Sequence, residues 1–242
     1  MATTEMHIHK PITDDPIEEA TAYHRLLPLD GARIIELGCG TAGHTRAIAE
    51  SGRPAAILAC EVDTIQHEKN LALRDLPSVS FVHGGAEAIP AADASADVVM
   101  MFKSLHHVPM DLMDDAMREI RRVLRPGGLA YISEPVYAGA FNDILRLFND
   151  EKTVREAAFA SVCRAVEQGI LELAGQHFFH TESRFADFAE FERRILGVTH
   201  SHFDLGPELL QTVKERFETH VGPAGARFVT PIRVDLLRRG VD

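Results

Sequence analysis

A glycine-rich turn near the start of the chain constrains the fold more than any other feature of the sequence. The turn, Glu36-Leu37-Gly38-Cys39-Gly40-Thr41-Ala42-Gly43-His44-Thr45, follows a short apolar run and leads into a helix-like stretch at residues 44–50. A buried strand, a glycine turn and a helix bring backbone N–H groups close to a ligand with no side chain between them. The pattern predicts a loop for a nucleotide or nucleoside cofactor. The spacing Gly38-x-Gly40-x-x-Gly43 also fits the dinucleotide fingerprint, so the loop alone does not choose the cofactor.

Short apolar segments alternate with helical patterns over the first half of the chain. The predicted strands are residues 33–37, 55–61, 79–83, 97–102 and 129–134, and the predicted helices are residues 44–51, 64–75 and 112–124. Asp63 stands where it would cap the second of these helices. Short, mostly apolar strands are typical of a parallel sheet that helices cover on both faces. This order predicts a doubly wound α/β sheet, which binds its ligands at the carboxyl ends of the strands.

The second half of the chain has a different pattern. Residues 139–196 carry helical periodicity without a convincing strand, and a strand (198–203), a helix (208–220) and an alternating strand (227–236) follow. We therefore expect a Rossmann-like, mainly parallel seven-stranded sheet with an antiparallel last strand and a helical cap between strands five and six. The predicted division is a sheet domain at 31–137 and 197–242, a cap at 138–196, and an N-terminal helical cover at 1–30 with its helix over 17–29. A cap in this position would form a lid over the ligand; the alternative is a packing elaboration remote from it.

Composition and charge restrict the class of protein. The net charge is −11 and the acids are spread along the chain, whereas binding to nucleic acid needs clustered Lys and Arg. No segment is apolar enough to span a bilayer, and the three cysteines lack the spacing of metal ligands. We therefore expect a cytoplasmic protein, a monomer or homodimer, whose main partner is neither nucleic acid nor membrane.

Further segments lie at the ends of the predicted strands. The second strand ends in Ala59-Cys60-Glu61-Val62-Asp63, which places Glu61 where an acid accepts hydrogen bonds from both ribose hydroxyls in NAD or S-adenosylmethionine sites. Gly84-Gly85-Ala86-Glu87-Ala88-Ile89-Pro90 follows the third strand. The fourth strand continues into Phe102-Lys103-Ser104-Leu105-His106-His107-Val108, and Leu124-Arg125-Pro126-Gly127-Gly128 precedes the fifth.

In these segments the chain resembles the class I S-adenosylmethionine-dependent methyltransferases, especially the small-molecule, methyltransferase type 11-like subgroup with a GCG loop and an LHHV segment. The resemblance covers residues 32–136, and 197–238 by topology. It implies S-adenosylmethionine as cofactor and S-adenosylhomocysteine as product. A dehydrogenase does not require an acid at Glu36 or the LRPGG turn, so an NAD-dependent oxidoreductase is a minor alternative. One departure is that the family's third loop glycine falls on Ala42.

The resemblance also implies the residues that hold the cofactor. Glu36 would bind the methionine ammonium, Glu61 the ribose diol and Val62 the adenine. Ala86 would offer its backbone N–H to the adenine, and Phe102 or Lys103 would lie near the methionine carboxylate. The complete predicted set is Glu36, Gly38, Gly40, Glu61, Val62, Ala86, Glu87, Phe102 and Lys103.

Methyl transfer from a sulfonium is an in-line displacement, so alignment supplies much of the rate and a base is needed only when the acceptor must lose a proton. His106 and His107 follow the fourth strand and are the predicted catalytic residues, because histidine titrates near neutrality. The alternative is that they only pack or bond to the backbone. Tyr23, Glu134 and Tyr137 are predicted to bind the acceptor, which we expect to be a small molecule methylated on oxygen or nitrogen.

Two further hypotheses remain open. His200-x-His202 and His177-x-x-His180, with Glu134, come nearest to metal-ligand spacing, but they supply no complete ligand set, so we predict no metal. The competing functional class is a non-catalytic S-adenosylmethionine-binding protein that regulates or scaffolds a partner. A pocket filled by side chains beside the methyl donor would favour that class.

Overall fold

The chain forms one mixed sheet with helices on both faces. The computed structural model describes residues 5–197, 203 and 205–241. The strands are β1 (Arg33–Leu37), β2 (Ala56–Glu61), β3 (Val79–His83), β4 (Ala96–Phe102), β5 (Leu124–Pro135), β6 (Glu172–Phe185), β7 (Val221–Gly222) and β8 (Gly225–Arg238). The helices are α1 (Glu19–Leu26), α2 (Gly43–Ser51), α3 (Thr64–Leu71), α4 (Met113–Val123), α5 (Ala140–Leu145), α6 (Lys152–Glu167), α7 (Phe188–Phe191) and α8 (Pro207–Glu218).

The strand order explains where a ligand can bind. It is β3-β2-β1-β4-β5-β8-β6, with β7 paired to β8. Strands β1 to β5 are parallel, whereas β8 runs antiparallel to β5 and to β6. The chain leaves the sheet in opposite directions after β1 and β4, and such a switch point opens a crevice at the carboxyl ends of these strands. The prediction of a mainly parallel α/β sheet with an antiparallel last strand is confirmed, with eight described strands rather than seven.

The helical cap needs a correction. Helices α5 and α6 do lie between β5 and β6, but Glu172–Phe185 is a 14-residue strand that pairs along its length with β8. The prediction of helical structure is therefore wrong over Glu172–Phe185, whereas Phe188–Leu196 is helical as predicted. The pairing partner lies some fifty residues along the chain, and such long-range pairing overrides local propensity. Of the predicted strand at 198–203, residues 198–202 lie outside the described residues, and Phe203 is in no strand.

Three apolar cores hold these layers together. One packs α4 and α6 on one face of the sheet, and a second packs α1 and α2 on the other face. The third is a cluster of phenylalanine rings under α5, α7 and α8 at the far ends of β6 and β8, with Phe185, Phe191, Phe217 and Phe228 buried at its centre. The first two cores fix the strand ends that carry the predicted motifs, and the third holds the cap beside them.

Candidate active site

The glycine loop has the backbone that its sequence predicts. Gly38 has φ 71° and Gly40 has φ 52°, in the left-handed region that glycine adopts at little cost. A Cβ atom on Gly38 would lie 2.7 Å from Cβ of Ser104, so a larger residue does not fit there. Ala42, which replaces the family's third glycine, has φ 61°. The loop therefore keeps the left-handed turn at this position despite the added methyl group.

Glu36 lies beneath the loop as a buried acid. Its Oε2 accepts a hydrogen bond of 2.6 Å from the Thr45 hydroxyl, the only partner recorded for its side chain among the described residues. Burial raises the pKa of Glu36 to about 7 against the opposing effect of that bond. A positively charged group beside Glu36 would therefore stabilise its ionised form.

Glu61 ends β2 beside the same loop. Its Oε2 accepts a hydrogen bond of 2.7 Å from the N–H of Gly40, and its Oε1 accepts bonds of 2.8 and 2.9 Å from the N–H groups of Val62 and Asp63. The carboxylate is thus fixed at the end of the strand with acceptor capacity left over. Val62 exposes 58% of its surface at this point, as a residue that packs on a ligand would.

A cavity of about 590 Å³ lies over the loop, and we call it the cofactor cavity. Of the predicted cofactor-binding residues, Glu36, Gly38, Gly40, Phe102 and Lys103 line it. The others, Glu61, Val62, Ala86 and Glu87, stand at the ends of β2 and β3 outside its lining. Helix α1 and the outer half of β6 close the cavity from above.

Helix α1 contributes two polar groups to the cofactor cavity. Sequence analysis missed Glu19, which is 5% exposed and hydrogen-bonds to the Ser133 hydroxyl. Burial raises the pKa of Glu19, while the Lys103 ammonium opposes the rise. Tyr23, predicted to bind the acceptor, lines the cofactor cavity instead, and its buried hydroxyl has no described hydrogen-bond partner. The cavity therefore holds two buried acids and an orphaned hydroxyl, which suit a cofactor with cationic and polar groups.

A second cavity of about 190 Å³ adjoins the first, and we call it the acceptor cavity. Lys103, Thr181 and Ser183 line both. The predicted catalytic residues His106 and His107 line the acceptor cavity, together with apolar side chains that include Phe141 and Leu145. The structure thus brings both histidines to a cavity that adjoins the cofactor cavity.

Glu134 holds His106 in one orientation. Its Oε2 accepts a hydrogen bond from Nδ1 of His106, and its Oε1 accepts a bond of 2.9 Å from the N–H of Leu105. Burial alone would raise the pKa of Glu134, but the charges of His106 and Arg233 hold it below its ordinary value. An ionised carboxylate only accepts, so Nδ1 carries the proton and Nε2 of a neutral His106 has the free lone pair. Nε2 lies 3.8 Å from Glu151, which also lines the acceptor cavity.

Three side chains in the acceptor cavity have the arrangement of a possible metal site. Ligand atoms of His106, His107 and Glu151 lie within 4.8 Å of one another. The Arg155 guanidinium, however, already binds Glu151 at 2.5 Å. Of the spacings considered from sequence, His200-x-His202 lies outside the described residues. The prediction of no metal stays a prediction.

Comparisons with known proteins show which family the first half of the chain is similar to. Residues 35–132 match the family model described as a methyltransferase domain. Phthiotriol/phenolphthiotriol dimycocerosates methyltransferase 1 of Mycobacterium ulcerans is 31% identical over 121 residues, which cover 48% of this chain and 44% of that protein. The fatty-acid O-methyltransferase of Mycolicibacterium smegmatis is 31% identical over 100 residues, 41% of this chain and 36% of that protein. The chain thus spans about half the length, or less, of these curated relatives.

A solved structure shows the same fold over most of the chain. The [4+2]-cyclase SpnF superposes with a TM-score of 0.60 at 20% identity, covering 92% of this chain and 80% of that one. Residues 35–132 thus match a methyltransferase domain, and the cofactor that this match implies is S-adenosylmethionine. No described helix combines the length and the hydropathy needed to cross a membrane.

Proposed function

We propose that the protein transfers a methyl group from S-adenosylmethionine to an oxygen or nitrogen atom of a small-molecule acceptor. The observation that carries this proposal is the acceptor cavity, which adjoins the cofactor cavity and contains His106, held by Glu134. A non-catalytic binding protein has no need of an open cavity at this position. The relative that methylates fatty acids on oxygen supports the choice of oxygen among the acceptor atoms.

Each part of the site has a role in this proposal. When bound, S-adenosylmethionine supplies a methyl group on positively charged sulfur. Glu36 and Glu19 give the cofactor cavity the negative charge that stabilises a cation, and Glu61 accepts hydrogen bonds from the ribose. Val62, Ala86 and Glu87 would flank the adenine, and Tyr23 would bind the methionine end with its orphaned hydroxyl.

His106 acts on the acceptor in this proposal. Its Nε2 takes the acceptor's proton, while Glu134 fixes the tautomer and stabilises the imidazolium that forms. Glu134 is therefore a positioning residue rather than a contact of the acceptor. His107 lies beside His106, with ring centroids 4.1 Å apart, and lines the same cavity. Tyr137 lines a further cavity, which adjoins the acceptor cavity.

A transfer assay tests the proposal directly. The protein is incubated with methyl-labelled S-adenosylmethionine and a panel of small phenols, carboxylic acids and amines, and label in an extracted product is measured. We expect transfer to at least one acceptor, and we expect His106→Ala to reduce it while leaving S-adenosylhomocysteine affinity nearly unchanged. His220→Ala, two residues beyond α8 and outside both cavities, is the matched control. Tight cofactor binding without transfer to any member of the panel would favour the regulatory alternative.

A further inference from the structure

A third cavity continues the row formed by the first two. It has a volume of about 240 Å³ and lies between the N-terminal arm (residues 5–16), the start of α6, the carboxyl end of β5 and the middle of β8, and we call it the far cavity. Pro135, Val136 and Arg155 line both the far cavity and the acceptor cavity. No described residue lines both the far cavity and the cofactor cavity. A group bound in the far cavity is therefore separated from the cofactor by the acceptor cavity.

Arg233 is an incompletely satisfied cation in the wall of the far cavity. It is 2% exposed; its Nε donates to Asp235 at 2.8 Å and its Nη1 donates to the carbonyl oxygen of Ile8 at 3.3 Å. Its Nη2 is buried and has no described hydrogen-bond partner. A buried donor without a partner costs about 1–3 kcal/mol, so its presence in a native protein calls for an explanation.

Neither of the two neighbouring acids satisfies this donor. Glu134 lies opposite Arg233 in the register of β5 and β8, but its oxygens are bound by His106 and by the N–H of Leu105. Asp235 binds the other edge of the guanidinium. An oxygen from outside the chain is then the natural partner for Nη2.

Two further cations line the same cavity. Arg155 is 8% exposed and binds Glu151 and Asn142 with its guanidinium. Lys152 has a 60% exposed side chain, and its ion pair with Glu156 is only a loose one, at 4.0 Å. Three cations thus line the cavity against two acids, but Arg155 and Arg233 are already paired with Glu151 and Asp235. Lys152 and Nη2 of Arg233 are the donors left for a ligand, and both favour an oxygen acceptor, most of all an anionic one.

We propose that the acceptor carries a carboxylate remote from the atom that is methylated, and that this carboxylate binds in the far cavity on Nη2 of Arg233, with Lys152 at its edge. The inference rests on the proposed function, because it extends the acceptor from the acceptor cavity into the far cavity. A carboxylate oxygen supplies the missing partner of the buried donor through a charge-assisted hydrogen bond. The order of the three cavities then sets the order of groups along the bound molecules: methyl donor, reacting atom, carboxylate.

Binding of two matched probes tests this assignment. Octanoate and octanamide are titrated by calorimetry into the protein saturated with S-adenosylhomocysteine. We expect octanoate to bind at least about tenfold more tightly, because the two probes share a chain and only octanoate offers Nη2 of Arg233 a charged acceptor. Lys152→Glu should weaken octanoate about threefold and leave octanamide unchanged. Lys214→Glu is the control, since Lys214 forms the same type of i,i+4 pair with Glu218 on α8, away from the cavities.

A second variant and a product assay complete the test. Arg233→Lys keeps the positive charge but removes the Nη2 donor, so octanoate should lose its preference over octanamide if circular dichroism shows a folded chain; if it does not fold, the Lys152→Glu comparison decides. Equal binding of the two probes to the native protein would overturn the proposal, and so would formation of methyl octanoate with S-adenosylmethionine, which would put the carboxylate at the reacting position. Neither result counts against the proposed function, whose failure would appear as tight cofactor binding without transfer to any acceptor of the panel.

Discussion

At the scale of single residues, the site is dominated by carboxylates that the fold removes from water. Glu36 and Glu19 line the cofactor cavity, and burial raises the pKa of both. Glu134 is just as deeply buried, but its neighbours lower its pKa. The difference follows from the partners of each acid: Glu134 has His106 and Arg233 beside it, whereas the described hydrogen-bond partner of Glu36 is the Thr45 hydroxyl. The first two acids are arranged for a positively charged ligand, and the third for a neighbouring imidazole.

Glu36 predicts how the cofactor-free protein responds to pH. Its pKa is raised from 4.5 when unfolded to about 7 when folded, so its contribution to stability is present below pH 4.5 and is lost as the pH rises toward 7. Glu36→Gln removes this titration. From pH 5 to pH 8 we expect the variant to gain about 2 kcal/mol relative to the native chain, measured by urea unfolding without cofactor. If the difference in unfolding free energy between the variant and the native chain is the same at pH 5 and pH 8, the raised pKa of Glu36 is contradicted. The same variant should bind S-adenosylhomocysteine more weakly.

The contact between Glu134 and His106 predicts that a substitution of Glu134 lowers kcat without weakening cofactor binding. Glu134→Gln removes the charge that fixes the imidazole and stabilises its protonated form, so kcat should fall at least about tenfold. The dissociation constant of S-adenosylhomocysteine should stay within about twofold, because Glu134 does not line the cofactor cavity. Glu134→Asp should restore part of the rate. A residue that served only packing would lower the unfolding free energy in both variants and leave kcat unchanged in the folded fraction.

At the scale of elements, sequence predicts best the segments whose conformation depends on residues close together in the chain. The glycine loop, the acid that ends β2 and the cap of α3 each depend on residues close together in the sequence. The loop and the acid stand at the strand ends where they were predicted, and Asp63 accepts from the N–H groups of Ile65 and Gln66. Strand β6 was missed because its stability comes from pairing with β8, and because polar residues such as Gln176, His177 and Glu182 interrupt its apolar pattern. Arg155 and Arg233 were missed for a related reason, since only the fold brings α6 and β8 to the same cavity.

The cap of α3 gives a quantitative test of one such local signal. Asp63→Ala leaves two backbone N–H groups at the helix start without their acceptor, so the unfolding free energy should fall by about 1 kcal/mol. Glu68→Ala is the matched control, because it removes the same charge from an exposed position in the same helix. Equal losses in the two variants, measured by urea unfolding, would show that charge rather than capping is responsible.

At the scale of the whole molecule, the cofactor cavity is assembled from segments that are distant in sequence. The glycine loop forms its floor, the end of β4 its side, and α1 and residues 181–183 of β6 its roof. A hydrogen bond of 2.8 Å from the N–H of Ile17 to the carbonyl oxygen of His180 ties the two roof segments together. A ligand that fills the cavity would therefore couple the first thirty residues to the cap.

This coupling predicts a pattern of hydrogen exchange. Adding S-adenosylhomocysteine should slow amide exchange by about tenfold or more in residues 38–44, and also in residues 18–23 and 181–183, because opening the roof then requires release of the ligand. Helix α8 contributes nothing to the cavity, so its exchange should be unchanged and serves as the internal control. Exchange is followed by mass spectrometry of peptides with and without ligand. Protection confined to residues 38–44 would mean that the roof is not part of the binding site, and that α1 and β6 cover the loop without contacting the ligand bound to it.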